Sequence, residues 1–269
     1  MSSHITFIGA GNMATSLIKG LIASGHDAAT IRASDPAPEQ LGKIAELGVA
    51  TSDDNNAQVR GADVVILAVK PQVMASVAGG LTALSTDQLL VSIAAGVPMS
   101  SLAGWTSSEQ PIVRCMPNTP ALLGAGVTAL CANERVSPAQ RELAESVLAT
   151  AGRTLWVSLE DQLDAVTAVS GSGPAYFFYL MEAMIEAGQA LGLSAETAVT
   201  LTLETARGAA LMALEGPPPA QLRANVTSPG GTTQAALEIL DAADCRGIIN
   251  AAVAAAAERS RELAIEFGR

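Results

Sequence analysis

A chain of 269 residues with 26 acidic and 15 basic residues carries a formal charge of −11, which argues against a surface made for nucleic acid or an anionic membrane. Its length allows a large core and favours two domains over one. Cys115, Cys131 and Cys245 stand apart without CxxC spacing, as expected of buried thiols in a reducing compartment, and they supply neither a disulfide framework nor a metal site.

The first strand-like run starts at Ile5, which leaves no room for a secretory leader before it, and no apolar stretch is long enough to span a bilayer. A cytoplasmic protein is expected. In chain order, short β-branched runs at 5–9, 30–35, 63–70, 89–95 and 111–116 alternate with helix-like segments such as 12–24 and 38–47. That alternation predicts βαβ units around a mostly parallel sheet. The run 64–69 is apolar at nearly every position, as in a central strand covered on both faces. Segments 126–131, a helical 138–151 and 153–157 close the series.

From about Leu159 the pattern is helical, with breaks expected at 171–174, 192–194, 216–219 and 228–231. Helices at 197–214 and 248–267 are alanine-rich, and the former is apolar on most faces. Small residues let helices approach closely, so a dimer core of interleaved subunits is expected; the alternative is a monomeric helical lid on the first domain.

Gly9-Ala10-Gly11-Asn12-Met13-Ala14 falls between the first strand and the first helix, the context a dinucleotide fingerprint requires. Gly9 permits the tight turn, Gly11 lets backbone approach a pyrophosphate, and Ala14 permits close packing of helix on sheet. The helix start then faces the phosphates with its partial positive charge. Ser34-Asp35 ends the second strand, where such a fold reads the adenosine ribose. Asp35 can accept bonds from both ribose hydroxyls, favouring NADH, whereas Arg32 and Ser34 can receive a 2′-phosphate, favouring NADPH. Preceding Pro36, Asp35 fits a turn residue equally well.

In 228–233, Pro229 and two glycines leave a bare, sharply turned backbone before Thr232 and Thr233 open a helix. Free N–H groups there suit an anion such as a carboxylate, and the same string also makes a well-formed helix start. The only histidines, His4 and His26, lie before the first strand and after the first helix and are expected at the surface. A histidine-dependent hydroxy-acid dehydrogenase is thereby excluded.

Five strings occur in order: 8–14 as above; Ala68-Val69-Lys70-Pro71; Arg114-Cys115-Met116-Pro117-Asn118-Thr119-Pro120; Asp164 to Tyr176 with Ser170-Gly171-Ser172-Gly173-Pro174; and Val226-Thr227-Ser228-Pro229-Gly230-Gly231-Thr232-Thr233. With them the chain resembles the pyrroline-5-carboxylate reductase family from end to end. The resemblance implies an α/β fold class, with an N-terminal Rossmann-type doubly wound sheet over 1–158 followed by an all-α dimerisation domain over 159–269. It also implies NADPH as cofactor, with NADH as the alternative, a cyclic imino acid as substrate, and a homodimer or a higher assembly of dimers.

Residue by residue, the resemblance assigns cofactor contacts to Gly9 through Ala14, Asn55, Ala68, Val69, Lys70, Pro71, Ala94, Ala95, Gly96 and Asn118, beside Ser34 and Asp35 read from the end of the second strand. Substrate contacts fall on Ser228, Gly230, Gly231, Thr232 and Thr233, with Thr233 beside the ring nitrogen as the catalytic hydrogen-bonding group. Glu215 is not carried over, because Gly216-Pro217-Pro218-Pro219 shifts the register from the family's loop glutamate. Tyr176, Phe177, Phe178 and Tyr179 are expected at the dimer interface. A related imine or 3-hydroxy-acid reductase is the enzyme alternative, and the latter lacks its lysine here, since none follows Lys70. A silent nicotinamide-binding regulatory protein would leave the 228–233 loop without a purpose.

Overall fold

The computed structural model describes residues 3–268. Strands and helices alternate through β1 (Ile5–Ile8), α1 (Asn12–Ala23), β2 (Ile31–Ser34), α2 (Pro38–Ala45), β3 (Ala50–Ser52), α3 (Asn55–Val59) and β4 (Val64–Leu67). The alternation continues with α4 (Pro71–Gly79), β5 (Leu89–Ser92), α5 (Met99–Trp105), β6 (Ile112–Met116), β7 (Gly126–Ala132), α6 (Pro138–Leu148) and β8 (Gly152–Trp156). They form one sheet in the order β3-β2-β1-β4-β5-β6-β7-β8. Every pairing is parallel except β6 with β7.

The period of two along β4 explains its unbroken apolar run. Val64 and Ile66 join Phe7, Leu17 and Ile18 in a core on one face, while Val65 and Leu67 join Ile8, Met74 and Leu102 on the other. The order reverses between β1 and β4, so their carboxyl ends diverge into the crevice where open α/β sheets bind ligands.

Several expected boundaries move. The strand expected over 63–70 ends at Leu67 and that over 89–95 ends at Ser92, so the residues beyond them are loops at the carboxyl edge. Thr30 closes a short 3-10 turn before β2, and Asp35 lies beyond its end. β3 was not among the expected strands: three small residues, exposed at one end, pair only with β2 at the sheet's edge.

Beyond β8 the chain is helical: α7 (Gln162–Val166), a π-helical turn at Thr167–Gly171, α8 (Gly173–Ala190), α9 (Ala195–Glu215), α10 (Pro219–Asn225), α11 (Thr232–Ala242) and α12 (Cys245–Phe267). The break expected at 171–174 is instead this π-helical turn, closed by Ser172 N–H to Thr167 carbonyl at 2.8 Å. Pro174 sits in the first turn of α8, where its missing N–H leaves no hydrogen bond unmade. A side chain at Gly171 would meet Met116 Cε, the movable end of that side chain.

Two compact units emerge. One holds the chain through Ser172 and resumes at Ala255; the other is Gly173–Ala254. Relative to the expected division at 158/159, residues 159–172 and the end of α12 belong to the sheet's unit. A buried hydrogen bond holds them, from Ser260 Oγ on α12 to Asp164 Oδ1 on α7 at 2.6 Å. The helical unit leaves large apolar side chains in the open, with Tyr179 77%, Leu191 87% and Leu214 78% exposed.

Cys115 and Cys131 are buried, but Cys245, at the start of α12, is only half-buried, against the expectation for all three. Burial pushes the Cys115 thiol far up, and burial together with the nearby Glu160 carboxylate pushes Cys131 up, so neither is poised as a nucleophile or metal ligand. Among the described residues no cluster of His, Cys, Asp and Glu could hold a metal ion, and no helix is long and apolar enough to cross a membrane.

Gly152 begins β8 at φ 139°, ψ −156°, a region reserved for glycine, and a side chain there would run into the Gly126 carbonyl. Gly152→Ala is expected to lower unfolding free energy by about 3 kcal/mol in urea titration. Unchanged stability would show that the β7–β8 start has slack.

Candidate active site

The turn after β1 is bounded by close contacts. Gly9 has φ +100°, and an added Cβ would lie 2.6 Å from the Ala68 carbonyl oxygen and 3.0 Å from Val69. Its N–H donates to the Ser34 carbonyl at 2.7 Å. Thus one glycine brings together the ends of β1, β2 and β4. Gly11, by contrast, has open space where its side chain would be, and it starts α1 without any side-chain cap. The first N–H groups of α1, at Asn12 and Met13, therefore face outward uncapped, while Ala10 and Ala14 are buried against the sheet. This bare helix start fits a pyrophosphate.

Asp35 takes the turn role that the sequence offered beside a ribose contact, and adds a bond that the sequence did not suggest. Its Oδ1 accepts the Ala37 N–H at 2.8 Å, which closes the turn after β2. Its Oδ2 accepts the Ala10 N–H at 2.8 Å, which ties that turn to the glycine loop. Ser34, fully buried, donates its hydroxyl to Asn55 Oδ1 at 2.7 Å and leaves the Asn55 amide donor directed elsewhere. Arg32 does not join them: its guanidinium donates to the carbonyls of Arg60 at 2.8 Å and Gln58 at 3.4 Å. Both bonds come from Nη1 alone and leave the Nη2 and Nε donors of Arg32 for another acceptor.

Ala68 and Val69 flank Gly9, Lys70 caps α4 with an exposed side chain, and Pro71 opens that helix. Asn118 uses both ends of its amide. Its Oδ1 accepts the Val127 N–H at 2.9 Å and its Nδ2 donates to the Ser170 carbonyl at 3.2 Å, bracing the end of β6 to β7 and to the π-helical turn. Ala94 and Gly96 are buried and Ala95 is half-buried in the loop after β5. His4 is exposed, and His26 is half-buried with Nε2 3.0 Å from both the Ser3 carbonyl and Thr30 Oγ1.

The second candidate segment lies in the helical unit. Gly230 turns the chain at φ +70°, and α11 begins at Thr232 after Gly231, with no side-chain cap. Two backbone N–H groups are already used: Gly231 donates to the Ser228 carbonyl at 3.0 Å, and Gly230 donates to Gln234 Oε1 at 2.7 Å. Gly230 and Gly231 therefore shape the loop, and the donors left to an anion are the Thr232 and Thr233 N–H groups with the hydroxyls of Ser228, Thr232 and Thr233. Gln234 was missed from sequence. Its signal was available: a glutamine at the third helical position commonly reaches back to the backbone before the helix.

Comparison with known proteins follows this division. Residues 4–96 match the family model described as NADP oxidoreductase, coenzyme F420-dependent, and residues 160–263 match that for pyrroline-5-carboxylate reductase dimerisation. A pyrroline-5-carboxylate reductase of Pseudomonas aeruginosa is 55% identical over 269 residues, covering 99% of this chain and 98% of that one. The structure of a pyrroline-5-carboxylate reductase from Coxiella burnetii superimposes with a TM-score of 0.93 at 44% identity, covering 98% and 99% of the two chains. A Plasmodium falciparum pyrroline carboxylate reductase with NADP bound gives 0.87 at 30% identity, covering 97% and 98%.

If Asp35 holds the glycine loop in shape, Asp35→Ala weakens NADH binding about tenfold, the equivalent of one hydrogen bond to a charged group. Cofactor fluorescence titration reads this. An unchanged dissociation constant would mean that the loop keeps its shape without the carboxylate.

Proposed function

The chain belongs to the pyrroline-5-carboxylate reductase family, and from that premise we propose that it reduces 1-pyrroline-5-carboxylate to L-proline by hydride transfer from NAD(P)H, the last step of proline biosynthesis. The observation that carries this reading is one chain with both a dinucleotide cradle at Gly9–Gly11 and an uncapped Thr232-Thr233 helix start, with no histidine in either segment.

The nicotinamide supplies the hydride when bound. Uncapped N–H groups of α1 receive the pyrophosphate, and Ser34, Asp35 and Asn55 meet the adenosine ribose. Ala68 to Pro71, Ala94 to Gly96 and Asn118 shape the remainder of the cofactor site. A 2′-phosphate of NADPH would be met by the Asn55 amide N–H and the remaining guanidinium donors of Arg32, since the Ser34 hydroxyl proton is used by Asn55. NADPH is the cofactor we assign, with NADH as the alternative.

Thr232 and Thr233 N–H groups hold the substrate carboxylate, Ser228 adds a hydroxyl, and Gly230 and Gly231 keep the backbone bare enough for approach. The Thr233 hydroxyl hydrogen-bonds the ring nitrogen. A protonated ring imine is already electrophilic at carbon, so positioning supplies most of the acceleration. Hydride adds to that carbon, the C=N π pair returns to nitrogen, and the nitrogen keeps the proton it carried. A second proton comes from water, so no strong side-chain acid is required.

We further assign a homodimer, or an assembly of dimers, in the cytoplasm. Phe177, Phe178 and Tyr179 stand 65%, 58% and 77% exposed on α8, a density of aromatic surface suited to a second copy.

Purified protein mixed with 1-pyrroline-5-carboxylate is expected to consume NADPH or NADH, followed by loss of their absorbance. No turnover with either would refute the reading. Thr233→Ala is expected to lower kcat/KM by about 10- to 100-fold while the cofactor dissociation constant stays within about twofold. Equal loss of cofactor binding would show that the loop has another task.

A further inference from the structure

The loop leaving β5 is enclosed by the end of α12. Gly96 turns the chain at φ +70°, and the space a side chain would need is taken by α12: Leu263 Cβ lies 3.1 Å and Phe267 Cδ2 3.5 Å from that missing atom. Phe267 is half-buried against the core that contains Ile8, Leu67, Ala94 and Val97. Those residues sit at the ends of β1 and β4, which flank the crevice, and on either side of Gly96.

Hydrogen bonds fix the helix end in place. Ser101 Oγ on α5 donates to the Gly268 carbonyl at 2.7 Å, and the buried Ser260–Asp164 bond anchors α12 just under one turn before Leu263. Beneath the loop, the Met99 N–H donates to Glu160 Oε1 at 2.7 Å, and the same oxygen pairs with Arg114 at 2.9 Å. The loop itself has little to hold its shape. Ala94, Ala95, Gly96 and Val97 carry no polar side chain, and the Ala94 N–H reaches Ser92 Oγ only at 3.4 Å. Its conformation is imposed by what packs on it.

We propose that Leu263 and Phe267 are positioning residues for cofactor binding, holding residues 94–96 in the shape that receives the dinucleotide. This rests on the reading of Ala94, Ala95 and Gly96 as cofactor contacts. Their contribution is backbone shape, and a preorganised backbone binds without first losing conformational freedom. The end of the chain, far from the glycine fingerprint in sequence, then sets part of the affinity for the nucleotide.

Fluorescence titration with NADPH and NADH tests this on the full-length protein. Phe267→Ala and Leu263→Gly, which remove the Cδ2 and the Cβ that face Gly96, are each expected to weaken cofactor binding about tenfold, with kcat at saturating cofactor within about twofold of the parent. Phe267→Leu restores most of the affinity. Val147→Ala, which removes buried volume from α6 in the opposite core, lowers stability but leaves cofactor affinity unchanged. Ala95→Asp tests the underlying reading separately, because a carboxylate in a loop that receives an anionic dinucleotide weakens binding. If Ala95→Asp weakens binding and neither α12 variant does, the positioning role is overturned and the cofactor loop stands. If none of the three changes affinity, the loop is not a cofactor contact and the proposal falls with it. Losses in the α12 variants matched by Val147→Ala would also overturn it, as a general effect of destabilisation.

Discussion

The close approach of Gly9 to the Ala68 carbonyl is the constraint on which the nucleotide-binding half depends. A Cβ at Gly9 would lie 2.6 Å from that oxygen, and its φ of +100° is one that L side chains rarely adopt. Because β1 and β4 are adjacent parallel strands whose connections leave in opposite directions, their ends can meet only if one contributes bare backbone. The Gly9 N–H to Ser34 and the Ala10 N–H to Asp35 then draw β2 into the same knot. Everything a dinucleotide would touch at this end is set by three strand ends meeting at one glycine.

Both candidate segments follow one rule: some backbone donors are used by the protein so that others stay free. In the first loop Ala10 is committed to Asp35, and the start of α1 at Gly11 is left without a cap. In the second, Gly230 is committed to Gln234 and Gly231 to Ser228, and the start of α11 is left without a cap. A fixed turn followed by unpaired N–H groups can receive an anion without a cation, as the proposed dinucleotide and carboxylate require in a chain of net charge −11. The chemistry then needs little more than orientation. Neither histidine lies in these segments, and the thiols of Cys115 and Cys131 are held protonated by burial.

The strand–helix alternation was legible because β4 is apolar on both faces and β1 and β5 nearly so, and the glycine fingerprint because it falls between a strand and a helix. Shorter features were not. β3, three small residues on the sheet edge, has no periodicity to detect. Glycine and proline at 171–174 signal a break equally well whether the backbone stops or, as here, widens into a π-helical turn before α8. Asp35 could be assigned to ribose or to a turn, but its bond to Ala10 joins residues 25 apart and appears only in three dimensions. Arg32 is another case: a cation near the right strand end whose Nη1 is drawn to the carbonyls of Gln58 and Arg60. The return of α12 to Gly96 was also hidden, since alanine-rich helices look alike whichever neighbour they meet.

The central claim is that hydride is delivered to the imine carbon of a ring carboxylate. It is tested most directly by supplying 1-pyrroline-5-carboxylate with each nicotinamide cofactor deuterated at the transferring position, and reading the product by mass and proton resonance. The account predicts L-proline carrying one deuterium on the ring carbon bonded to nitrogen that was the imine carbon. Product without deuterium there, or no proline with either cofactor, would contradict it.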